Sequence, residues 1–494
     1  MSTAAQADHS AMKIARLCLL VAAVLISGSW RYPQQSPNSP ADSQAAGNSI
    51  SRACDRCIHA HMEFLASDAL RGRGSGTRDE LVAATYVASE LEQYGLEPAG
   101  DQGSYLQRAT ILRRKLVRPP RLVFSLPGVP PSQVSWIHGD QMLVLQLGRP
   151  ELSGPLQKFD AKQPDQKIRS GAIVLLRGEG YNPEDVLSKL LAQGAVGVIV
   201  PESARLRSQW KERAARPLEL PVQIEGTSSA GLERSFDVLA LSKSAEAQLA
   251  GVPEGTLLRL VVTAGPAQKT YTWNALAKIP GSDPTQQHAA ILLTAHLDHL
   301  GIGPAVNGDN IYNGADDDAS GTTAVLELAR VLALQRNRRP LVVALFGSEE
   351  KGALGSSYFR DHPPLPLGDI AAYLEFEMIG RPDPKVPEDT LWLSGWERSD
   401  LGPELAAHGA HLVADPHPEE HFFERSDNYV FAKTGMVAQT VSSYGLHKDY
   451  HRPSDDLSHI DFKHMDEAIG SFIEPMLWLV NSDFVPRWKQ GGKP

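Results

Sequence analysis

Cysteine is scarce in this chain of 494 residues, which contains three. Two of them, Cys54 and Cys57, form a C-x-x-C pair, which predicts a local disulfide or a minor feature without a functional role. A haem-attachment motif would require His directly after the second Cys, and Ile58 stands there instead. Because the pair lacks a thioredoxin-like context, we do not expect a redox centre.

Positively charged residues are fewer than negatively charged ones, and long apolar runs are also rare. Lys and Arg number 48 against 58 Asp and Glu, and this net charge of -10 argues against nucleic acid as a partner. The run from Leu17 to Ile26, which follows Lys13 and Arg16, is too short to span a membrane and predicts a signal peptide over residues 1–29. No later run is long enough to cross a bilayer. We therefore expect a secreted or periplasmic protein with no stable membrane span after signal removal.

The remaining composition is that of a soluble globular protein with more than one domain. Hydrophobic residues make up 42% of the chain and charged residues 21%. Residues 30–51 are rich in Pro, Ser, Gln and Ala, which predicts a disordered linker. From residue 52 onwards the chain is long enough to bury a large core.

One stretch, residues 291–321, combines features that a structural segment does not need. It begins in the apolar run Ala290–Leu293, which predicts a buried strand. His296 and Asp298 follow with a spacing of two, which places them on the same side if the chain stays extended. A loop rich in glycine then leads to three consecutive acids, residues 316–318. A His, a carboxylate and an acidic cluster thus meet where a strand gives way to a helix.

Three adjacent acids repel one another and need an explanation. The spacing does not match an EF-hand, which alternates its acids and ends in Glu. A solvated acidic turn is the other simple interpretation, but the His-x-Asp upstream favours a metal site, because imidazole and carboxylate suit zinc. After the acids, Ser320 is predicted to cap a helix. Its apolar positions recur at helical spacing, at Val325, Leu328, Ala329 and Leu332.

Strands and helices alternate through the rest of the chain, which predicts an α/β fold with a largely parallel central sheet and helices on both faces. We predict strands at Leu341–Phe346, Ile370–Phe376 and Met436–Val441. Each precedes polar residues: Glu349 and Glu350, then Glu377, then the segment 447–451. Ligands of such sheets gather at the carboxyl ends of the strands, so these groups are expected to meet.

The sequence AHLDHLG followed by NGADDDASG resembles the di-zinc metallopeptidase family (clan MH) that includes secreted bacterial aminopeptidases and glutamate carboxypeptidase II. The transferrin receptor and glutaminyl cyclase share its zinc exopeptidase fold. The resemblance implies two Zn²⁺ per chain. His296 and Glu377 match the ligands of the first zinc, and Glu350 and His451 match those of the second. Asp317, the middle acid, matches the carboxylate that bridges them.

The same resemblance implies that Glu349 is the general base. Asp298 is expected to hold the second ring nitrogen of His296, as acids often do for a His that binds a metal. Glu377 departs from the family pattern, where Asp is usual, although Glu carries the same ligating group one methylene further out. Glu375, two residues away on the same strand face, is the alternative ligand.

The domain organisation is predicted around this site. Residues 52–129 form the N-terminal part of the peptidase domain, with a helix that Thr77 and Glu80 start by capping-box spacing and Gly95 ends. Residues 130–265 are β-rich, with runs at 172–176 and 195–200, and resemble an inserted protease-associated domain without catalytic residues. The peptidase catalytic core follows at residues 266–486.

The resulting hypothesis is a zinc aminopeptidase that acts on peptide substrates with a free N-terminus. Another exopeptidase of the family, a dipeptidase or a glutamate carboxypeptidase, is the nearest alternative. Glutaminyl cyclase uses one zinc, and the inserted domain and the GADDDASG loop count against it. A non-catalytic receptor would be expected to have lost ligands, whereas this chain retains a full set.

Overall fold

The computed structural model describes residues 52–126, 132–149, 151–163, 166–178, 183–227 and 236–494, so the predicted signal peptide and linker lie outside the described residues. The strands are β1 (Glu97–Pro98), β2 (Leu106–Arg113), β3 (Leu116–Leu126), β4 (Ser132–Ile137), β5 (Met142–Gln146), β6 (Leu152–Asp160), β7 (Ile173–Arg177), β8 (Gly197–Pro201), β9 (Gln223–Ile224), β10 (Asp237–Leu241), β11 (Leu257–Ala264), β12 (Gln268–Ile279), β13 (Ala290–His296), β14 (Gly301–Val306), β15 (Asp309–Tyr312), β16 (Leu341–Phe346), β17 (Ile370–Phe376), β18 (Leu391–Leu393), β19 (Leu412–Ala414) and β20 (Ala438–Ser442). The helices are α1 (Asp55–Leu65), α2 (Arg78–Gln93), α3 (Pro183–Ala192), α4 (Ala204–Ala215), α5 (Lys243–Ala250), α6 (Gly321–Ala333), α7 (Leu354–Asp361), α8 (Leu401–Ala407), α9 (Asn428–Ala432) and α10 (Phe462–Asn481).

The central sheet runs in the order β19-β18-β20-β17-β13-β16-β12-β2-β9, and β1 pairs with β12. Its middle is parallel: β13 lies between β16 and β17, and β17 pairs in parallel with β20. On one side, β12 and β2 continue the sheet in antiparallel pairing. The predicted strands and the mixed sheet are confirmed, but the parallel pairing predominates only in the middle of the sheet, because β1, β2, β9 and β12 pair antiparallel on one side and β18 pairs antiparallel with β20 on the other.

Helices cover both faces of the sheet. Consecutive residues of β13 point to opposite faces, so alternate residues pack against different sets of helices. Ile291, Leu293 and Ala295 belong to a core with apolar residues of α1, α2, α6 and α10. Leu292 belongs to a second core, with residues of α7 and α9. All seven residues of β13 are buried, as expected for a parallel strand covered on both sides.

A separate sheet of eight strands, in the order β4-β3-β11-β6-β7-β8-β10-β5, builds most of the predicted insert. The runs predicted as strands at 172–176 and 195–200 correspond to β7 and β8, each displaced by one or two residues. This sheet already begins with β3 at Leu116, before the predicted boundary at residue 130. In addition, β9 lies within the predicted insert but pairs with β2 of the central sheet.

The N-terminal helix pair packs on the central sheet. Cys54 and Cys57 form a disulfide at the start of α1, as predicted for a local pair. Thr77 caps α2, since its Oγ1 accepts from the N–H groups of Asp79 (3.2 Å) and Glu80 (3.4 Å). Gly95 ends α2 in the left-handed conformation with φ 83°. Among the described residues, no helix combines the length and the apolar character that crossing a bilayer requires.

Candidate metal centre

Three parallel strands bring the candidate residues to one edge of the central sheet. His296 is the last residue of β13, Glu349 and Glu350 follow β16, and Glu377 follows β17 directly. His296 pairs in register with Phe346, the last residue of β16, so the two strands end level with each other. This arrangement explains why side chains far apart in the sequence converge here.

The loop after β13 is held by a buried arginine. Arg73, between α1 and α2, is inaccessible to solvent and donates to the carbonyl oxygens of Leu297 (3.0 Å), Asn313 (2.6 Å) and Gly314 (2.9 Å). These carbonyls lie at the two ends of the loop that joins β13 to the acidic run. Arg73 therefore closes the loop and fixes where the acids begin.

The two outer acids of the run, Asp316 and Asp318, hold neighbouring segments in place. Asp316 accepts hydrogen bonds from the backbone N–H of Gly380 (2.8 Å), and its other oxygen lies 2.9 Å from His447 Nε2. Asp318 accepts from the backbone N–H groups of His296 (3.2 Å) and Met378 (3.0 Å). Both carboxylates tie neighbouring segments to the loop. Ser320 likewise donates to the Asp316 carbonyl (2.7 Å) and makes no side-chain cap for α6, so its predicted capping role is wrong.

Asp317, the middle acid, faces the site instead. Its Oδ1 lies 3.2 Å from His296 Nε2, and its Oδ2 lies 3.2 Å from His451 Nε2. Two histidines therefore approach different oxygens of one carboxylate. This is the geometry that the bridging carboxylate predicted at this position requires.

Two groups of three side chains share Asp317 and place their nitrogen or oxygen atoms within 4.8 Å of one another. The first contains His296 and Glu377, as predicted. The second contains Glu350 and His299, whereas the sequence predicted Glu350 and His451 here and gave His299 no role. His299 Nδ1 lies 2.7 Å from Glu350 Oε1, while His451 Nε2 lies 3.2 Å from Glu350 Oε2. Glu350 is therefore flanked by two histidines.

Glu377 and Glu375 have separate surroundings. Glu377 Oε1 lies 3.9 Å from His296 Nε2, and its side chain is 22% exposed towards the cleft. Glu375 is fully buried and accepts from the backbone N–H of Asn428 (2.8 Å) and from Thr440 Oγ1 (2.9 Å). The structure thus brings Glu377 to the first group and places the alternative, Glu375, behind it.

Asp298 connects the first group to the predicted base. Its Oδ1 lies 3.7 Å from His296 Nδ1 and accepts from the backbone N–H of Glu349 at 2.9 Å. Its Oδ2 accepts from Ser75 Oγ at 2.5 Å. Asp298 therefore lies on the side of His296 opposite Asp317, where it can orient the ring, and it also fixes the start of the Glu349–Glu350 turn.

Burial and charge separate the two adjacent glutamates. Burial raises the pKa of Glu349 well above its usual range, although the charge of His296 opposes the shift. Burial and the charge of Asp317 would raise the pKa of Glu350. The interactions with His299 and His451 outweigh both effects and lower this pKa to about 2. Glu349 thus holds a proton readily, whereas Glu350 stays ionised as a ligand must.

The other members follow the same electrostatics. Burial alone would raise the pKa of Asp317, but His296, His299 and His451 hold it well below its usual range. Burial alone would lower the pKa of His451, and hydrogen bonds to Asp317 and Glu350 raise it to about 10. Several buried atoms nevertheless lack a hydrogen-bond partner within the described residues, including both ring nitrogens of His296 and of His299 and Oε1 of Glu350. Imidazole nitrogen and carboxylate oxygen atoms are the donor types that zinc takes.

The two groups open into a cleft of about 530 Å³. The lining residues are Asp317, Glu349, Glu350, Glu377, Met378, Trp392, Ser394, Phe422, Arg425, Thr440, Ser442, Tyr444, Tyr450 and His451. Four carboxylates occupy one end, and aromatic rings form much of the remaining wall. All seven side chains predicted from the sequence lie at this centre. The aromatic wall and His299 were not predicted, although the H-x-D-H pattern of residues 296–299 was a signal for the latter.

Comparisons with known proteins agree with this geometry. Residues 274–473 match the profile of peptidase family M28. An aminopeptidase of Pseudomonas aeruginosa (strain UCBPP-PA14) is 28% identical over 215 residues, which cover 43% of this chain and 35% of that protein. Leucine aminopeptidase 2 of Trichophyton equinum is 26% identical over 289 residues, covering 56% of this chain and 55% of that protein. The chain thus spans between about a third and just over half of the length of these curated relatives.

The solved structure of an aminopeptidase from Aneurinibacillus sp. strain AM-1 shares the fold. It superimposes with a TM-score of 0.51 and 17% sequence identity, over 88% of this chain and 96% of that one. At this identity the likeness concerns the fold alone.

Proposed function

We propose that this protein is a zinc-dependent aminopeptidase that hydrolyses the N-terminal bond of peptides, since residues 274–473 match the profile of peptidase family M28. The observation that carries the proposal is the position of Asp317, whose two oxygens lie between two groups of ligating atoms. One carboxylate that serves two such groups suits two zinc ions per chain. The aminopeptidases to which the chain is similar add support.

In this proposal His296, Asp317 and Glu377 hold one zinc, and Asp317, Glu350 and His451 hold the other. His299, which already belongs to the second group, lies 2.7 Å from Glu350 Oε1, so it could bind the same zinc or orient that carboxylate. Zinc bound there would supply a Lewis acid that polarises the peptide carbonyl and lowers the pKa of water.

Glu349 is the proposed general base. Its raised pKa suits a group that takes a proton from the attacking water and returns it to the leaving amine. Asp298 positions both residues in this proposal, since it accepts a hydrogen bond from the Glu349 backbone N–H and lies beside His296. A free substrate amine could bind at one zinc or beside the carboxylates of the cleft, and the aminopeptidases to which the chain is similar favour an aminopeptidase over a carboxypeptidase.

Export from the cytoplasm is part of the same proposal. It rests on the basic and apolar pattern of residues 1–29 and on the Cys54–Cys57 disulfide, since disulfides persist in oxidising compartments.

The test combines metal analysis with a substrate panel. We expect about two zinc ions per chain by elemental analysis, loss of activity with a chelator and recovery on adding zinc. Peptides with a free N-terminus should be cleaved, whereas their N-acetylated counterparts should not. Cleavage of N-acetylated peptides from their carboxyl end would contradict the aminopeptidase assignment. A single tightly bound zinc at full activity would contradict the two-metal site.

A further inference from the structure

One positive side chain faces the acidic cleft. Among the described residues that line it, Arg425 is the only Lys or Arg. None of the roles assigned above to the metal groups, to Glu349 or to Asp298 requires this guanidinium.

The segment that carries Arg425 is fixed to the wall of the cleft. The guanidinium lies over the ring of Phe422, 4.9 Å from its centroid, and Phe422 stacks on Trp392 at 5.2 Å. The Arg425 backbone N–H donates to the Phe422 carbonyl (3.0 Å). Further along the segment, His417 Nε2 lies 2.8 Å from Asp383. The Arg425 side chain is therefore held in place by its neighbours, which lowers the entropic cost of binding a ligand to it.

Arg425 retains capacity for a ligand. Its only ion pair within the described residues places Nη1 3.6 Å from Glu420 Oε2, with the two side chains 41% and 38% exposed. A pair this exposed is weak, and it involves one edge of a group that carries five N–H donors. A carboxylate bound in a partly enclosed cleft competes well for the remaining donors.

Two hydroxyl groups of the same lining are already engaged. Thr440 Oγ1 donates to Glu375 (2.9 Å), and Ser442 Oγ donates to the Met378 carbonyl (3.1 Å). Neither proton is free for a substrate. Arg425 is therefore the strongest donor that this wall offers to an anionic group.

We propose that Arg425 binds a carboxylate of the peptide substrate and makes the enzyme selective for it. The proposal rests on the aminopeptidase function proposed above. The carboxylate belongs either to the side chain of a first residue that is Asp or Glu, or to the C-terminus of a short peptide. In either position the planar guanidinium, which lies in the lining of the cleft, can bind the carboxylate through paired hydrogen bonds.

The test compares pairs of substrates that differ in one charge. Glu-p-nitroanilide against Gln-p-nitroanilide reports on the side chain, and Leu-Gly against Leu-Gly-amide reports on the C-terminus. With the zinc-loaded wild-type protein we expect kcat/KM to favour the carboxylate in at least one pair by roughly 10- to 100-fold. Arg425→Gln should bring that ratio close to one. The ratio, rather than either rate, is the readout, because it cancels a general loss of activity.

Glu420→Gln is the matched control, since it removes the surface partner of Arg425 and keeps the guanidinium. It should retain or increase the wild-type ratio. A wild-type protein that shows no carboxylate preference in either pair, or a preference that survives Arg425→Gln, overturns the proposal while leaving the aminopeptidase function standing. A zinc-loaded wild-type protein that turns over none of the four substrates, nor Leu-p-nitroanilide, overturns the proposed function itself.

Discussion

Glu349 and Glu350 are adjacent residues of the same type, yet their surroundings differ. Glu349 is held through its backbone by Asp298 and has a raised pKa, because burial outweighs the charge of His296. Glu350 lies between His299 and His451, which lower its pKa to about 2. A difference of this kind is the basis for assigning the base to the first residue and the ligand to the second.

Substituting each glutamate by Gln tests this assignment. Glu349→Gln should keep both zinc ions, because the residue is outside both groups of ligating atoms, but turnover should fall on the order of 10²- to 10⁴-fold. Glu350→Gln replaces a charged ligand by a weak neutral one, so it should lose zinc from one site and recover partly at high zinc. Elemental analysis and steady-state kinetics on both variants measure the contrast.

Each variant is the control for the other, since the substitutions are identical and one residue apart. Loss of metal in Glu349→Gln with retention in Glu350→Gln would reverse the two roles. Retention of metal and of near-normal activity in both would show that the site lies elsewhere.

Residue types and strand ends were sufficient to predict which side chains meet at the centre. They could not predict which of the three acids faces it, because that depends on the backbone N–H groups of Met378 and Gly380 that Asp318 and Asp316 accept from. The position of His299 depends similarly on the turn after β13, which Arg73 closes from another part of the chain. Long-range hydrogen bonds of this kind have no local sequence signal.

At the scale of elements, helices α1 and α2 pack through a buried histidine. His61 on α1 is 4% exposed, with Nδ1 2.7 Å from Tyr86 Oη and Nε2 2.9 Å from Tyr94 Oη on or next to α2. Burial, aided by the charge of Arg330, lowers the pKa of His61 to about 4. The neutral ring thus links the two helices, and its protonation opposes their packing.

The stability of the protein should therefore rise with pH between about 4 and 6.5 through this residue. In that window the unfolded chain binds a proton at His61 and the folded chain does not, so acid favours unfolding by up to about 3 kcal/mol. His61→Gln should reduce the difference in unfolding free energy between pH 7.5 and pH 5, measured by denaturant titration. His288→Gln, at a side chain that is 83% exposed, should leave it unchanged. A wild-type pH dependence in His61→Gln would contradict this account.

Elements with a strong apolar pattern were predicted well, and their ends less well. The apolar run of β13 and the helical spacing of apolar residues in α6 are sufficient to predict these two elements, because the sequence itself shows which face is buried. The start of α6 was less clear, because Ser320 uses its hydroxyl on Asp316 and leaves capping aside. Glu80 was expected in a capping box with Thr77 but accepts instead from the Gly76 backbone N–H and from Thr272 of β12.

For the whole molecule, the division between the two sheets is clear but their boundary is hard to read from sequence. Strands β2 and β3 follow each other closely along the chain, and only their pairing assigns them to different sheets. The central sheet in turn takes β9 from within the second region, where Ile224 packs with Ile111 and Leu354. Composition changes along the chain cannot show a short strand that returns to the first sheet.

Removing the second sheet should leave the metal centre intact. Within the described residues it contributes nothing to either group of ligating atoms. Arg113 and Gln268 face each other in the antiparallel β2–β12 pair, so residues 114–267 can be replaced by a two-residue Asn-Gly turn that makes β2 and β12 a hairpin. The variant should bind about two zinc ions and cleave Leu-p-nitroanilide. Its melting temperature should fall because the loss of β9 exposes Ile111 and Leu354.

Ile224→Ser in the full chain is the control. It should lower the melting temperature without changing the range of peptides cleaved, whereas the deletion should change both the melting temperature and that range. A deletion variant that folds, judged by a cooperative melting transition, but fails to bind zinc would show that the second sheet helps to build the centre.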